Sequence, residues 1–255
     1  MYNAVDSLER TMLSVLGQTY DNVEYIVLDG GSTDGTVDVI RKYSDRLTHW
    51  VSEPDKGIYD AMNKGICKAA GEWILFMNAG DSFCNPDVLQ RLEMERVNDD
   101  VSVVYGDSIS VYGEDHFHFP AKDLETLRES GMAFCHQAVF VRRSVLLSHP
   151  FDLSYRMLAD YNLFRTLFLE GVKFEYKPIP VCIYGVDGGF TDRHQWLCRQ
   201  ELNRILQRKD SFASRFYFAL KNIIRRFLRP CNQFLRRCKY KKNLIPKDQL
   251  SQFIY

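Results

Sequence analysis

The chain has 255 residues, 45% of them hydrophobic, and its 33 Lys or Arg balance its 33 Asp or Glu. That length holds one large α/β domain plus an appendage, and the composition is that of an ordinary globular protein. No run of about eighteen apolar residues is present to span a bilayer, and the polar start "MYNAVDSLER" lacks the apolar stretch of a signal peptide.

The elements are read in chain order. "YIVLDGG" (25–31) has the pattern of a buried strand ending in a Gly-rich turn, and "DGTVDVIRKY" (34–43) that of a helix capped by Asp34 or a neighbour. "THWVSEP" (48–54) is a second strand, stopped by Pro54. "GIYDAMNKGICKAAG" (57–71) is a helix closed by Gly71. "EWILFMN" (72–78) predicts a strand, "PDVLQRLEMERV" (86–97) a helix with Pro86 at its first position, and "VSVVYGD" (101–107) another strand. This alternation argues for a mainly parallel sheet with helices on both faces, whose ligands bind beyond the carboxyl ends of the strands.

The second half is less regular. "QAVFVRRSVL" (137–146) is a strand turning into a short helix, and "RMLADYNLFRTLFLEG" (156–171) a helix closed by Gly171. "FEYKPIPVCIYG" (174–185) is a strand pair or one extended segment, and 192–242 is mostly helical by pattern. The seven cysteines, at 67, 84, 135, 182, 198, 231 and 238, include no Cys-x-x-Cys pair. A disulfide framework and a zinc site are therefore disfavoured, and a reducing cytoplasm fits.

Two carboxylates and one helix start stand out. Asp81 follows the apolar run "ILFMNAG", where an acid is either a turn residue or a ligand at a strand end. Asp160 lies four residues before Phe164 and seven before Leu167, on the apolar face of its helix. There it is either a desolvated carboxylate needing a partner or an acid on the helix dipole. Lys56 and Gly57 open a helix whose N–H groups can bind an anion, and Lys64 adds charge. No Walker-type or dinucleotide-binding glycine motif and no Gly-x-Ser-x-Gly elbow occurs.

Five stretches follow one another in order: "TMLSVLGQTYDNVEYIVLDGGSTDGTVDVI", "SEPDKGIYDAMNKGICKAAGEWILFMNAGD", "VVYGD", "CHQAVFVRRS" and "RMLADYNLFRTL". Together they resemble the bacterial family 2 glycosyltransferases, in particular the branch that builds surface polysaccharides. The resemblance implies a Rossmann-like nucleotide-diphospho-sugar transferase fold of the GT-A type, with a catalytic domain over 1–190 and a basic helical extension over 191–255. It also implies an apolar first strand ahead of Tyr2, where this chain has only Met1, so that the domain is expected to lack that strand.

Residue by residue, the resemblance assigns nucleotide-sugar binding to Tyr2, Asn3, Asp29, Lys56, Gly57 and Asn63. It makes Asp81 the ligand of a divalent metal, Mn²⁺ or Mg²⁺, and Asp160 the catalytic base. His136 and Gln137 fall in a loop near donor or acceptor. The implied reaction is inverting transfer from a nucleotide-sugar, UDP-linked as first choice, to a lipid-linked or saccharide hydroxyl. Nucleic acid is not an expected partner. The alternative of the same fold is an inactive nucleotide-binding scaffold lacking the first strand. A sugar nucleotidyltransferase would need a Gly-rich, Arg- and Lys-bearing signature near the first strand, which is absent.

The charge is uneven. Phe212–Lys242 carries ten Lys or Arg and no acid, which leaves the rest of the chain at −10. Phe212, Phe216, Leu220, Ile223, Phe227 and Leu228 recur at helical spacing among those cations, and a second basic segment begins at Phe234. Such a stripe is either a helix packed on the acidic body or an amphipathic helix on an anionic membrane. The expected location is the cytoplasm, peripheral to the inner membrane face.

Overall fold

A computed structural model describes residues 1–129, 131–185, 194–209 and 232–253. Its backbone is organised by β5 (Val101–Tyr112), twelve residues of which eight in succession, Val103 to Ser110, are fully buried. A strand buried on both faces needs a packed layer on each, and its two edges need partner strands. β8 (Lys173–Gly185) runs parallel along one side, while β7 (Val139–Arg142) and the hairpin strand β6 (Asp115–Phe119) run antiparallel to it. β3 (Trp73–Ile74) and β4 (Ser82–Phe83) add antiparallel edges, giving the order β3-β7-β5-β8-β4 with β6 on β5. A separate parallel pair joins β1 (Ile26–Asp29) to β2 (His49–Ser52).

The expected mainly parallel sheet is thus mixed: β1/β2 and β5/β8 are parallel, and the other pairs are antiparallel. Periodicity detects strands, whereas direction depends on which strands meet. The 72–78 strand shrinks for a related reason. Trp73 and Ile74 pair with Arg142 and Val141, and from Leu75 to Asn78 the chain joins no ladder.

Other differences have local causes. The 86–97 helix is broken into α4 (Val88–Arg91) and a 3₁₀ turn by Glu93, in a left-handed conformation at φ 48°. Leu92 and Val97, five apart, would face different sides of one helix, and the break lets both enter the same core. The helix expected to close at Gly71 ends earlier, as α3 (Ile58–Lys68). Segment 174–185 is one long strand rather than a pair. Gly106 allows it: a Cβ there would lie 2.6 Å from a Val181 methyl carbon and 2.7 Å from the Ile179 carbonyl oxygen, where the β5/β8 register shifts.

The remaining helices are α1 (Val5–Leu16), α2 (Thr36–Lys42), α5 (Glu125–Glu129), α6 (Arg143–Ser148), α7 (Ala159–Leu169), α8 (Gln195–Ile205) and α9 (Asn232–Lys239). The main core packs α3 and α7 against the large sheet through Met62, Ile66, Tyr161, Leu163, Phe164 and Leu167. A smaller core joins Leu8 and Met12 of α1 to Val27 and Ile40.

The described C-terminal residues bond back onto this body. Glu201 of α8 is buried and accepts the backbone N–H groups of Arg156, Met157 and Leu158 at 2.7–2.9 Å, just ahead of α7. Further on, the Ile245 N–H donates to the His116 carbonyl at 2.9 Å, and Arg237 pairs with the buried Asp115. The apolar stripe from Phe212 to Leu228 lies outside the described residues.

Candidate active site

Two loops at strand ends and one helix start carry the principal candidate residues. The first follows β1. Asp29 is buried, and its carboxylate accepts Gly31 N–H at 3.1 Å, Ser32 N–H at 2.8 Å, Ser32 Oγ at 2.5 Å and Ser52 Oγ at 2.6 Å. Burial alone would raise its pKa, but these donors outweigh it and hold the acid below its ordinary range. Asn3 joins the same loop: its N–H donates to Ser32 Oγ at 2.7 Å, and its side-chain oxygen accepts Thr33 N–H at 3.0 Å. Tyr2 beside it is 63% exposed, a free aromatic face. A shallow hollow of about 520 Å³, lined by Ser32, Thr33, Arg41, Trp50 and Ser52, adjoins this loop.

The second loop follows β3 and contains Asp81. Gly80 turns the chain with φ 102°, a conformation that disfavours side chains. Thr11 of α1 pins the turn, accepting from Gly80 N–H at 2.9 Å and donating to the Asp81 carbonyl at 2.7 Å. Arg10 donates to the Gly80 carbonyl. The Asp81 side chain is buried with one described donor, Gln137 Nε2, on Oδ2 at 2.7 Å. Burial dominates and pushes its pKa up to about 6, against the pull of Gln137 and the charges of His136 and Arg10.

The third wall is the start of α7. Asp160 Oδ1 accepts the Tyr161 N–H at 2.8 Å and the Tyr59 hydroxyl at 3.0 Å, and Oδ2 lies 3.1 Å from His136 Nδ1. Burial disfavours its charge, yet His136 together with the Tyr161 and Tyr59 donors outweighs that and keeps it below the usual carboxylate range. Reciprocally, burial pulls His136 down, but Asp160 overrides it and raises the imidazole to about 9. Both sequence alternatives for Asp160 hold in part: it sits at a helix start and is also desolvated, with only 13% of its side chain exposed.

Asp81 and Asp160 are therefore bonded by the adjacent residues Gln137 and His136, while Asn3 meets Asp29 through Ser32, with Tyr2 just ahead of it in the chain. Gly57, at φ 117°, and Lys56 precede α3, whose Tyr59 reaches Asp160. The Lys56 N–H is taken by Asp60 Oδ2 at 3.1 Å and that of Gly57 by Asp55 Oδ1 at 2.8 Å. Asn63 faces elsewhere: its amide exchanges two 2.9 Å bonds with the Phe151 backbone and ties α3 to that loop. Sequence reasoning missed Tyr59 and Glu201. Tyr59 stood inside a quoted motif, but Glu201 is an isolated acid far along the chain with no signal.

Among the described residues no cluster of three or more His, Cys, Asp or Glu could hold a metal ion unaided. The donor set nevertheless fits an ion that arrives with a diphosphate. Asp81 offers one carboxylate oxygen with no described donor, and hard divalent ions take one or two carboxylates when phosphate oxygens and water complete the shell.

Comparison with known proteins gives the family and the fold. The profile described as glycosyl transferase family 2 matches residues 1–149. A Mycobacterium bovis protein named PGL/p-HBAD biosynthesis glycosyltransferase is 33% identical over 197 residues, covering 74% of this chain and 76% of its own. Among solved structures, S. aureus TarS 1-349 with UDP-GlcNAc superposes with a TM-score of 0.61 at 15% identity, over 81% of this chain and 68% of that one. Of the longer TarS chain the protein spans 38%. Mannosyltransferase PcManGT from Pyrobaculum calidifontis, with GDP-Man and Mn²⁺, gives 0.60 at 19% identity, over 80% of this chain and 60% of that one. At such identities the likeness is one of fold, a mixed α/β architecture of the GT-A type.

Proposed function

The chain belongs to glycosyl transferase family 2, and from that premise we propose that it moves a sugar, with inversion, from a UDP-sugar to a hydroxyl of a lipid-linked or saccharide acceptor in polysaccharide biosynthesis. The observation that carries this reading is Asp160. It is a nearly buried carboxylate held ionised by three donors at the start of α7, in one bonded group with the Asp81 loop. A scaffold that only binds nucleotide has no need of such a base.

In this mechanism the acceptor hydroxyl gives its proton to Asp160, on the Oδ2 lone pair that His136 leaves free. The acceptor oxygen forms a bond to the anomeric carbon as the bond to the diphosphate breaks, and the electron pair departs with the diphosphate. Asp81 would hold a divalent ion, which when bound neutralises that leaving charge. The loop of Tyr2, Asn3 and Asp29 supplies the nucleoside side: Tyr2 offers a stacking face, and Asp29 shapes the turn that meets the base. Lys56 and Gly57 lie towards the diphosphate and sugar.

The UDP assignment is supported by the TarS neighbour, solved with UDP-GlcNAc. Among the described residues no helix is long and apolar enough to cross a membrane. We assign membrane association to the cations of Phe212–Lys242 other than Arg237, which pairs with Asp115, each worth about 1 kcal/mol near an anionic surface. The protein would then work at the cytoplasmic face of the inner membrane.

The test is release of nucleoside diphosphate from a panel of nucleotide sugars with Mn²⁺ and polyprenyl-phosphate-linked or free saccharide acceptors. Asp160→Asn serves as control, and the product's anomeric configuration is read by NMR. Binding of UDP without release from any donor would favour the scaffold alternative. For the membrane, full-length protein should pellet with anionic vesicles at low salt, and a variant with Arg225, Arg226 and Arg229 changed to Glu should not. Equal supernatant recovery would sink that assignment.

A further inference from the structure

The two carboxylates lie on different parts of the chain, one after β3 and one on α7, yet both are bonded by consecutive residues. His136 and Gln137 sit in a single 3₁₀ turn between Cys135 and β7. His136 presents Nδ1 to Asp160 Oδ2 at 3.1 Å, and its Nε2 lies 3.1 Å from the Asn78 amide at the base of the Asp81 loop. Gln137, 7% exposed, directs Nε2 at Asp81 Oδ2 at 2.7 Å. Its orientation is not arbitrary, because the Cys135 thiol donates to its Oε1 at 2.8 Å. With the carbonyl end engaged, the amide can meet Asp81 only with its N–H₂ end.

We propose that the His136–Gln137 turn is the positioning unit of the site, His136 aiming Asp160 at the acceptor and Gln137 aiming Asp81 at the metal–diphosphate, with Cys135 fixing the Gln137 amide. The proposal rests on the glycosyltransferase reading. The physical reason is economy of error. Catalytic groups must be held to within a fraction of an ångström, and two adjacent residues on a turn seated against β5 and β8 share one rigid frame. The two halves act on different stages, so their loss should separate. Removing the partner of a metal-ligating carboxylate typically costs 10–100-fold in metal affinity. Misplacing a base costs turnover without loosening the nucleotide.

The experiment compares the full-length parent with His136→Leu, His136→Gln, Gln137→Met and Cys135→Ala. Circular dichroism at assay temperature establishes that each is folded. Calorimetry gives UDP affinity with and without Mn²⁺, and release of UDP from UDP-GlcNAc in the presence of the polyprenyl-phosphate-linked or free saccharide acceptors gives turnover at saturating donor. His136→Leu should lower turnover by about 10–100-fold with UDP affinity within about 3-fold, and His136→Gln, which keeps an N–H donor, should recover part of it. Gln137→Met should lower the Mn²⁺-dependent UDP affinity by about 10–100-fold with turnover at saturation within about 3-fold, and Cys135→Ala should do the same more weakly. Variants that lower both quantities together, or neither, overturn the proposal. If the parent binds UDP with Mn²⁺ but releases nothing from UDP-GlcNAc, the donor reading fails on its own, and the affinity arm still decides the Gln137 half. A parent that binds no nucleotide at all overturns both.

Discussion

Asp81 and Asp160 are bonded by the two consecutive residues Gln137 and His136 of one short turn, and their surroundings are opposite. Asp160 receives Tyr59, Tyr161 N–H and His136, and stays ionised despite burial. Asp81 is as deeply placed but receives Gln137 alone, and its acid is pushed up to about 6. One carboxylate is supplied with its counter-charges by the protein. The other is left short of them, and a cation arriving with the diphosphate would supply the remainder. A group that must act as a base needs a fixed charge before substrate binds, whereas a group that must grip a visiting cation gains by being undersupplied.

The comparison can be broken in several ways. The largest effect is expected for Asp160→Asn, which should lower turnover by about 10²–10⁴-fold while UDP affinity, read by calorimetry, changes little. An unchanged rate would reduce Asp160 to a helix-dipole residue. Next, Glu201→Ala should destabilise the fold by about 2–4 kcal/mol in urea unfolding, because three buried N–H groups ahead of α7 lose their acceptor. A change under about 0.5 kcal/mol would show that α7 does not depend on it.

Asp81→Asn should act in two directions. It should remove the Mn²⁺-dependent part of UDP binding, and it should stabilise the ligand-free fold. An acid raised from 3.8 to about 6 costs up to about 3 kcal/mol when held ionised. Its folded pKa lies above the unfolded one, so this cost is absent below about pH 4, grows between pH 4 and 6, and is constant above. The mutant's advantage in thermal midpoint should therefore appear at pH 7 and vanish at pH 4. A mutant less stable at pH 7 would mean that Asp81 is well satisfied without a cation.

The smallest effect concerns His136, whose imidazole is raised to about 9 by Asp160. A raised folded pKa gives stability that is complete below about 6.5 and fades as pH rises through 9. The stability gap between parent and His136→Gln should narrow from pH 6.5 to pH 9.5 by about 1 kcal/mol, a value reduced because a quarter of the ring is exposed. A gap independent of pH would show that the imidazole stays neutral and donates to the Asp160 carboxylate without carrying a charge.

Part of the candidate site was legible in the sequence. Asp81 was marked by its place at a strand end and Asp160 by its place on an apolar helix face, Asp29 by the family resemblance alone, and the order of five short stretches named the family. Gln137 and His136 were marked without roles, since nothing along the chain says that a turn after Cys135 will meet two distant acids. Asn63 shows the converse. Its position in "YDAMNKG" pointed towards the donor, and its amide is spent on the Phe151 backbone.

What the sequence by itself determined is what depends on neighbours along the chain. Hydrophobic period placed the helices α2, α3 and α7, and apolar runs placed β1, β2, β5 and β7. The tertiary structure decided what depends on partners far away. The sheet is mixed because β7 and β4 meet their neighbours antiparallel, and β3 is two residues long because, among the described residues, no strand pairs beyond Ile74. Asp160 is charged and Asp81 has its pKa raised because hydrogen-bond donors from α3, α7 and the 136–137 turn converge on one and almost miss the other. A carboxylate's pKa is set by the groups within a few ångströms of it, and sequence distance carries no information about those.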